Sequence, residues 1–127
     1  MDDDGTIVDV VKMPETERDI FDLLHEWREA HDRIHATLEF VRAMPRQGVS
    51  STFKFGWGYG GLRMALIATG IPFEEVTPAK WQGALRCRSG GDKNVTKRKA
   101  QELWPARKWT HATSDSALIC EYGRRNG

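Results

Sequence analysis

The chain has 127 residues, of which 39% are hydrophobic and 29% are charged, a composition typical of a single soluble globular domain. Its two cysteines form no closely spaced pair. Neither a zinc knuckle nor a disulfide framework is therefore predicted, and a reducing intracellular environment is favoured. The N-terminus is acidic and no apolar run approaches ~18 residues, so the sequence predicts neither a signal peptide nor a membrane span.

The net charge of +1 conceals two parts of opposite sign. Residues 1–45 hold 12 acidic and 5 basic side chains, whereas residues 46–127 hold 6 acidic and 14 basic ones. A basic segment of this kind can bind a polyanion, nucleic acid above all. A lysine-rich helix surface without a ligand explains the charge pattern equally well, and both interpretations stay open.

The chain opens with an Asp- and Gly-rich turn. The β-branched residues 7–11 then predict a strand, which Met13-Pro14 ends. Thr16 has the character of a helix N-cap with an acidic residue three positions later. Apolar residues recur at helical spacing behind it, so an amphipathic helix is predicted over residues 17–31.

Residues 34–41 predict a buried strand, which is stopped at Met44-Pro45. Glu39 lies in this strand, where an unpaired carboxylate costs roughly several kcal/mol unless it pairs or binds a metal ion. The alternative is that Glu39 faces solvent on the polar side of an alternating strand.

A glycine-rich run with interleaved aromatic residues follows over residues 46–61. It matches neither a P-loop nor a dinucleotide-binding fingerprint, and its glycines would let the backbone approach a sheet or a ligand closely. The aromatic residues and Lys54 suit a nucleic-acid surface, although a core-packing helix with small residues is equally consistent. A helix is predicted over residues 62–69, with Gly70 as its C-cap.

The C-terminal part is predicted to be mostly helical. A strand over residues 72–78 precedes a short helix over 79–85 in which Trp81 is a core anchor. A Gly-rich basic loop leads to a helix over 95–104 that Asn94 caps.

A last helix is predicted over residues 116–122, with Gly123 as its C-cap. Asp115 is expected in its first turn, where the helix dipole favours an anion. An acidic residue there is commonly no more than a helix stabiliser. The order of elements predicts an α/β protein with a sheet covered by helices.

Motifs along almost the whole chain, in the same order, resemble those of the phage-type RuvC-like Holliday-junction resolvases. They are Ala36-Thr37-Leu38-Glu39, Met44-Pro45, Gln47-Gly48, Phe55-Gly56, Gly60, Gly70-Ile71-Pro72, Val76-Thr77-Pro78, Lys80-Trp81, Asp92-Lys93, Lys97 and His111-Ala112-Thr113-Ser114-Asp115-Ser116-Ala117-Leu118-Ile119.

The resemblance implies an RNase H-like mixed sheet flanked by helices, in a homodimeric endonuclease that cuts branched DNA such as four-way junctions. It implies Mg²⁺ as cofactor, with Mn²⁺ as a possible substitute. Glu39 takes the fourth-strand position and Asp115 the last-helix position, both as catalytic residues and metal ligands. His111 is a further catalytic candidate near the start of that helix. The protein is expected to be encoded by a phage or prophage and to lie in the cytoplasm of the bacterial host.

The basic residues of the second part of the chain are the candidates for contact with DNA. They are Lys54, Lys80, Lys93, Lys97, Arg98 and Lys99.

The chain departs from the family pattern at its beginning. The family's first, central strand with its Gly-Ile/Leu-Asp-x-Gly motif has no counterpart in this sequence. The acidic turn at residues 2–4 does not replace it, since it aligns with the turn between the family's second and third strands. The expectation is therefore a single RuvC-like domain over residues 1–127, truncated at its N-terminus. A non-catalytic DNA-binding remnant and an unstable fragment are the alternatives to an active nuclease.

Overall fold

The computed structural model describes residues 1–42 and 46–127. Five helices and two strands follow one another along these residues: α1 Glu17–Ala30, β1 Ala36–Glu39, α2 Val49–Thr69, β2 Phe73–Val76, α3 Pro78–Ala84, α4 Lys93–Leu103 and α5 His111–Asn126. The strands pair as a two-stranded parallel sheet, with α2 as the crossover connection that parallel neighbours require. The predicted α/β class is confirmed.

The chain divides into two compact units, of which the first comprises Met1–Val11, Thr37–Glu39 and Glu75–Gly127. Its core lies where α3, α4 and α5 meet. Trp81 and Leu118 are fully buried there, and Trp109 packs beside them. Tertiary burial of this kind, more than intrinsic propensity, stabilises helices as short as α3.

The second unit comprises Lys12–Ala36 and Phe40–Glu74, and the helices α1 and α2 pack together in it. Leu24 of α1 is buried, as are Leu66 of α2 and Ile71 just beyond it. Trp57 of α2 donates its Nε1–H to Glu17 Oε1 of α1 at 3.0 Å. The prediction of one domain over the whole chain remains a prediction.

Several predicted helix ends are confirmed. Thr16 caps α1 through its hydroxyl, and Gly70 ends α2 with a left-handed φ of 71°. The glycine-rich run itself proves helical, because α2 begins at Val49. Asp92, rather than Asn94, caps the N-terminus of α4.

The strand predicted over residues 7–11 is wrong, since this segment is irregular. β-branched residues favour a strand only when a neighbour completes the hydrogen-bond ladder. In the part of the chain that the structure describes, β1 and β2 pair with each other instead. The stop predicted at Met44-Pro45 lies outside the described residues. No helix among those described is long and apolar enough to cross a membrane.

A candidate carboxylate site

Glu39 is the last residue of β1 and is half-buried. Its Oε2 accepts a hydrogen bond of 2.7 Å from Nε1 of Trp81 on α3. Trp81 is fully buried, and a buried indole N–H needs an acceptor. The contact fixes the direction of the carboxylate, so Glu39 is not the freely solvated acid of the alternative interpretation.

Asp115 lies on α5, which begins with a capping box. The Thr110 hydroxyl accepts from the Thr113 amide, and the Thr113 hydroxyl accepts from the Thr110 amide. Asp115 is thus the fifth residue of the helix, one turn beyond its first turn, and the predicted position in the first turn is wrong. Its Oδ1 is buried without a hydrogen-bond partner.

The two carboxylates are brought together in the first unit. Burial is the main cause that raises the pKa of Glu39, the Trp81 hydrogen bond opposes it, and the negative charge of Asp115 raises it further. A nearby like charge disfavours the ionised form of an acid. Residues 76 positions apart in sequence therefore share one electrostatic environment.

Cys87 borders this environment. Burial raises the pKa of its thiol, nearby Lys99 lowers it, and Asp115 raises it. Lys99 also lies 3.8 Å from Glu102 through its Nζ. The Lys99 cation and the Asp115 carboxylate thus act on the Cys87 thiol in opposite directions.

His111 is the first residue of α5 and is exposed. Its Nε2 lies 3.2 Å from Oδ1 of Asn94 on α4. This contact brings the N-termini of α4 and α5 together. Asp115 follows His111 by four positions, which places both on one side of the helix.

The candidate DNA-binding residues are distributed over both units. Lys54 lies on α2 in the second unit, whereas the other five lie on α3 and α4 in the first. Lys93 and Lys97 are one turn apart on α4, and Arg98 is exposed. The α4 residues therefore form a basic strip whose N-terminal end adjoins the start of α5.

The carboxylates of Glu39 and Asp115 would supply only part of the oxygen ligands that a divalent cation needs. Hard cations take oxygen ligands, and Mg²⁺ is commonly held by one or two carboxylates together with waters and substrate phosphates. The unpartnered Oδ1 of Asp115 and the neighbouring Glu39 meet this need. Among residues 1–42 and 46–127, no group of three or more His, Cys, Asp or Glu could hold a metal ion. In the part of the chain that the structure describes, no larger group of metal-ligating side chains therefore accompanies Glu39 and Asp115.

Sequence reasoning missed the link between Trp81 and Glu39 and the position of Cys87. Trp81 was predicted only as a core anchor. The signal that could have found the link is chemical, because a buried indole requires an acceptor and a buried carboxylate requires a donor. No sequence signal pointed to Cys87.

Two solved structures of RuvC from Thermus thermophilus are similar to this chain. The complex of that protein with a Holliday junction substrate shares 19% sequence identity, covers 94% of this chain and 78% of its own, and has a TM-score of 0.61. A second structure of the same protein shares 17% identity, covers 94% and 77%, and has a TM-score of 0.62. No protein-family model and no curated protein matches the sequence.

These structures define the fold. The chain has an RNase H-like α/β fold of the RuvC type, at reduced size. The resemblance seen in the ordered motifs is confirmed at the level of the fold.

Proposed function

We propose that this protein is a Mg²⁺-dependent, structure-specific endonuclease that cleaves Holliday junctions and related branched DNA as a homodimer. The observation that carries the proposal is the pairing of Glu39 with Asp115, whose buried Oδ1 has no hydrogen-bond partner, within a fold of the RuvC type. A similar structure contains RuvC bound to a Holliday junction.

Glu39 and Asp115 would hold the ion between β1 and α5. When bound, Mg²⁺ lowers the pKa of a coordinated water and polarises the phosphate. Trp81 occupies one lone pair of Glu39 Oε2, which leaves Oε1 and the second lone pair of Oε2 for a ligand. Mn²⁺ would substitute, since it accepts the same oxygen ligands.

The basic strip would position the DNA backbone. Lys93, Lys97 and Arg98 project from α4, and phosphate contacts by such side chains fix a protein on DNA without reading its sequence. His111 stands where the strip adjoins α5 and would act on the phosphate from the start of that helix. Residues 1–127 would function as one domain in the cytoplasm of a bacterial host.

The test is the cleavage of a synthetic four-way junction in the presence of Mg²⁺. Glu39→Gln should lower the rate by on the order of 10²–10³-fold, because it removes a charge that the transition state requires. Glu102→Gln is the matched control, since Glu102 is an exposed residue of α4. A chain that binds no divalent cation and cuts no junction contradicts the proposal.

A second function is favoured by one observation, namely that the described residues contain no group of three or more side chains that could hold a metal ion. A protein that binds junctions without cutting them needs the basic strip alone. Its binding would weaken steeply with salt, because each neutralised phosphate releases counterions.

Reversing the charges of Lys97, Arg98 and Lys99 should then lower junction affinity and flatten its salt dependence. Lys12→Glu, an exposed change in the other unit, is the control. Cleavage of the junction, or binding that is indifferent to salt, would exclude this second function.

A further inference from the structure

Helix α3 follows directly on the sheet that carries Glu39. Val76 ends β2, and Thr77 caps α3 at the next position, where its hydroxyl accepts a hydrogen bond of 3.3 Å from the Lys80 amide. Pro78 is the first residue of the helix, and the fixed φ of proline suits a first turn. A single residue therefore separates the strand from the helix, and α3 leaves the sheet in one defined direction.

Trp81 faces the core from the middle of this helix. It is fully buried, and the hydrophobic core to which it belongs also contains Leu85 of the same segment and Leu118 of α5. Protein interiors are packed as densely as organic crystals, so a side chain of this size has little freedom to turn. The position of the indole, and with it the direction of its N–H, is thus set by packing.

The indole N–H is what holds the Glu39 carboxylate. The distance of 2.7 Å from Nε1 to Oε2 is shorter than the usual value of about 2.9–3.0 Å, as expected for a charged acceptor. In the part of the chain that the structure describes, no other group donates to this carboxylate. Loss of the N–H would therefore leave the Glu39 side chain free to rotate.

Trp81 also relates Glu39 to the helix of the second acid. Asp115 lies on α5 three positions before Leu118, which is fully buried in the same core as Trp81. The indole thus shares a core with α5 and is hydrogen-bonded to β1. It sets the position of one carboxylate relative to the helix that carries the other.

Mg²⁺ and Ca²⁺ differ in how strictly they require such positioning. Mg²⁺ takes near-ideal octahedral geometry with oxygen ligands at about 2.0–2.1 Å, whereas Ca²⁺ accepts oxygen ligands at about 2.3–2.6 Å in adaptable arrangements. A ligand that is held in place before the ion arrives also loses less side-chain entropy on binding. A fixed carboxylate consequently favours the stricter ion, and a mobile carboxylate favours the more adaptable one.

We propose that Trp81 is a positioning residue whose indole N–H, by holding the Glu39 carboxylate in one orientation, sets the preference of the carboxylate site for Mg²⁺ over Ca²⁺. The inference rests on the metal site of the proposed function and names the residue that determines its choice of cation. Ion binding is measured without DNA, so a failure of this inference is distinguishable from a failure of junction cleavage.

The first experiment measures ion affinities of the full chain. Binding of Mn²⁺ is followed by its electron spin resonance signal, and Mg²⁺ and Ca²⁺ are measured by their displacement of Mn²⁺. Trp81→Phe keeps a ring in the core and removes the N–H. It should raise the Mg²⁺ dissociation constant about tenfold, the low end of the usual loss when a group that orients a metal ligand is removed, and that of Ca²⁺ only about twofold.

The ratio of the two dissociation constants separates positioning from mere damage to the fold, because a loosened core weakens both ions alike. Trp104→Phe is the matched control, since it removes an indole N–H of the same unit that donates to the Gly5 backbone oxygen at 3.1 Å. This control should keep the ratio of the unaltered chain. Equal factors for Mg²⁺ and Ca²⁺ in Trp81→Phe, or an unaltered chain that leaves the Mn²⁺ signal unchanged, would overturn the proposal.

The second experiment follows the hydrogen bond in the unaltered protein and does not depend on the folding of Trp81→Phe. The chain has five tryptophans, whose indole N–H signals are resolved by ¹⁵N NMR. The Trp81 signal is the one that Glu39→Gln displaces most, because its acceptor loses its charge. Mg²⁺ should shift this signal and leave that of Trp104 in place. A Trp81 signal that Mg²⁺ does not move, or that exchanges with water as fast as that of Trp104, would contradict a carboxylate held by the indole.

Discussion

Glu39 holds a carboxylate in a place that disfavours its charge. Burial and the charge of Asp115 both raise its pKa, while the indole of Trp81 stabilises the ionised form. The folded protein thus keeps two acids together at some expense in stability. A bound cation would relieve the repulsion, which is why such pairs are characteristic of metal sites.

Glu39→Gln should therefore raise the thermal unfolding midpoint by a few degrees at pH 7 without divalent cations. Because its folded pKa is raised, Glu39 favours the native state fully below its unfolded pKa, and this contribution is lost as the pH rises through the folded pKa. Gln is neutral throughout and its amide oxygen can still accept from Trp81, so the variant should lack this pH dependence.

Scanning calorimetry between pH 4 and pH 8 measures the effect. Glu102→Gln, the exposed control, should leave the profile unchanged. A lower midpoint for Glu39→Gln at pH 7 would show that the ionised carboxylate stabilises the fold.

The close packing of β1 against α5 places Glu39 and Asp115 in the same environment, and a glycine makes this packing possible. Gly123 lies within α5, and a Cβ there would collide with the hydroxyl of Thr37 on β1. Its prediction as a helix C-cap is wrong, because the glycine provides space for the strand while the helix continues to Asn126. Thr37 is two residues before Glu39, so this packing also sets the position of the carboxylate.

Gly123→Ala should destabilise the protein by about 1–3 kcal/mol, the usual range for overpacking. It should also lower junction cleavage, because β1 must shift. Gly58→Ala on α2 is the control, since open space surrounds that glycine and alanine in a helix stabilises by up to about 1 kcal/mol. Urea unfolding measures the stability of both variants. Equal stabilities would contradict a tight contact between β1 and α5.

The first unit joins the two ends of the chain through charged and polar contacts. Glu121 of α5 is buried and accepts hydrogen bonds of 2.6–2.8 Å from Arg124 and from Arg125. Arg124 also donates to the backbone oxygen of Asp3 at 3.3 Å, and Trp104 donates to that of Gly5 at 3.1 Å. The acidic turn at the start of the chain is thereby fixed to α4 and α5.

This network predicts a loss of stability in acid. The hydrogen bond from Arg124 is the main cause that lowers the pKa of Glu121, with Arg125 acting in the same direction against burial. A lowered pKa contributes stability that is present at neutral pH and lost as the pH falls below the ordinary Glu value of about 4.3.

Glu121→Gln should lower the midpoint of urea unfolding at pH 7. It should also reduce the difference between the urea midpoints measured at pH 7 and at pH 3.5. Glu102→Gln, which removes an exposed carboxylate of α4, is again the control. If the variant keeps the full difference in urea midpoint between the two pH values, the acid-sensitive group is not Glu121.

The sequence by itself determined the local features of this protein. Hydroxyl caps such as Thr16 and the left-handed Gly70 are fixed by short-range hydrogen bonds and backbone sterics, which neighbouring residues carry. The choice of Glu39 and Asp115 came from the order of motifs along the chain, and their role as metal ligands remains a prediction.

Only the tertiary structure decided which residues meet. The contact of Trp81 with Glu39 spans 42 positions, and Gly123 faces Thr37 from the far end of the chain. Residues 7–11 have strand propensity yet form no strand, because a strand exists only with a partner in register. Long-range packing sets the charge environment of Glu39, and no local pattern encodes it.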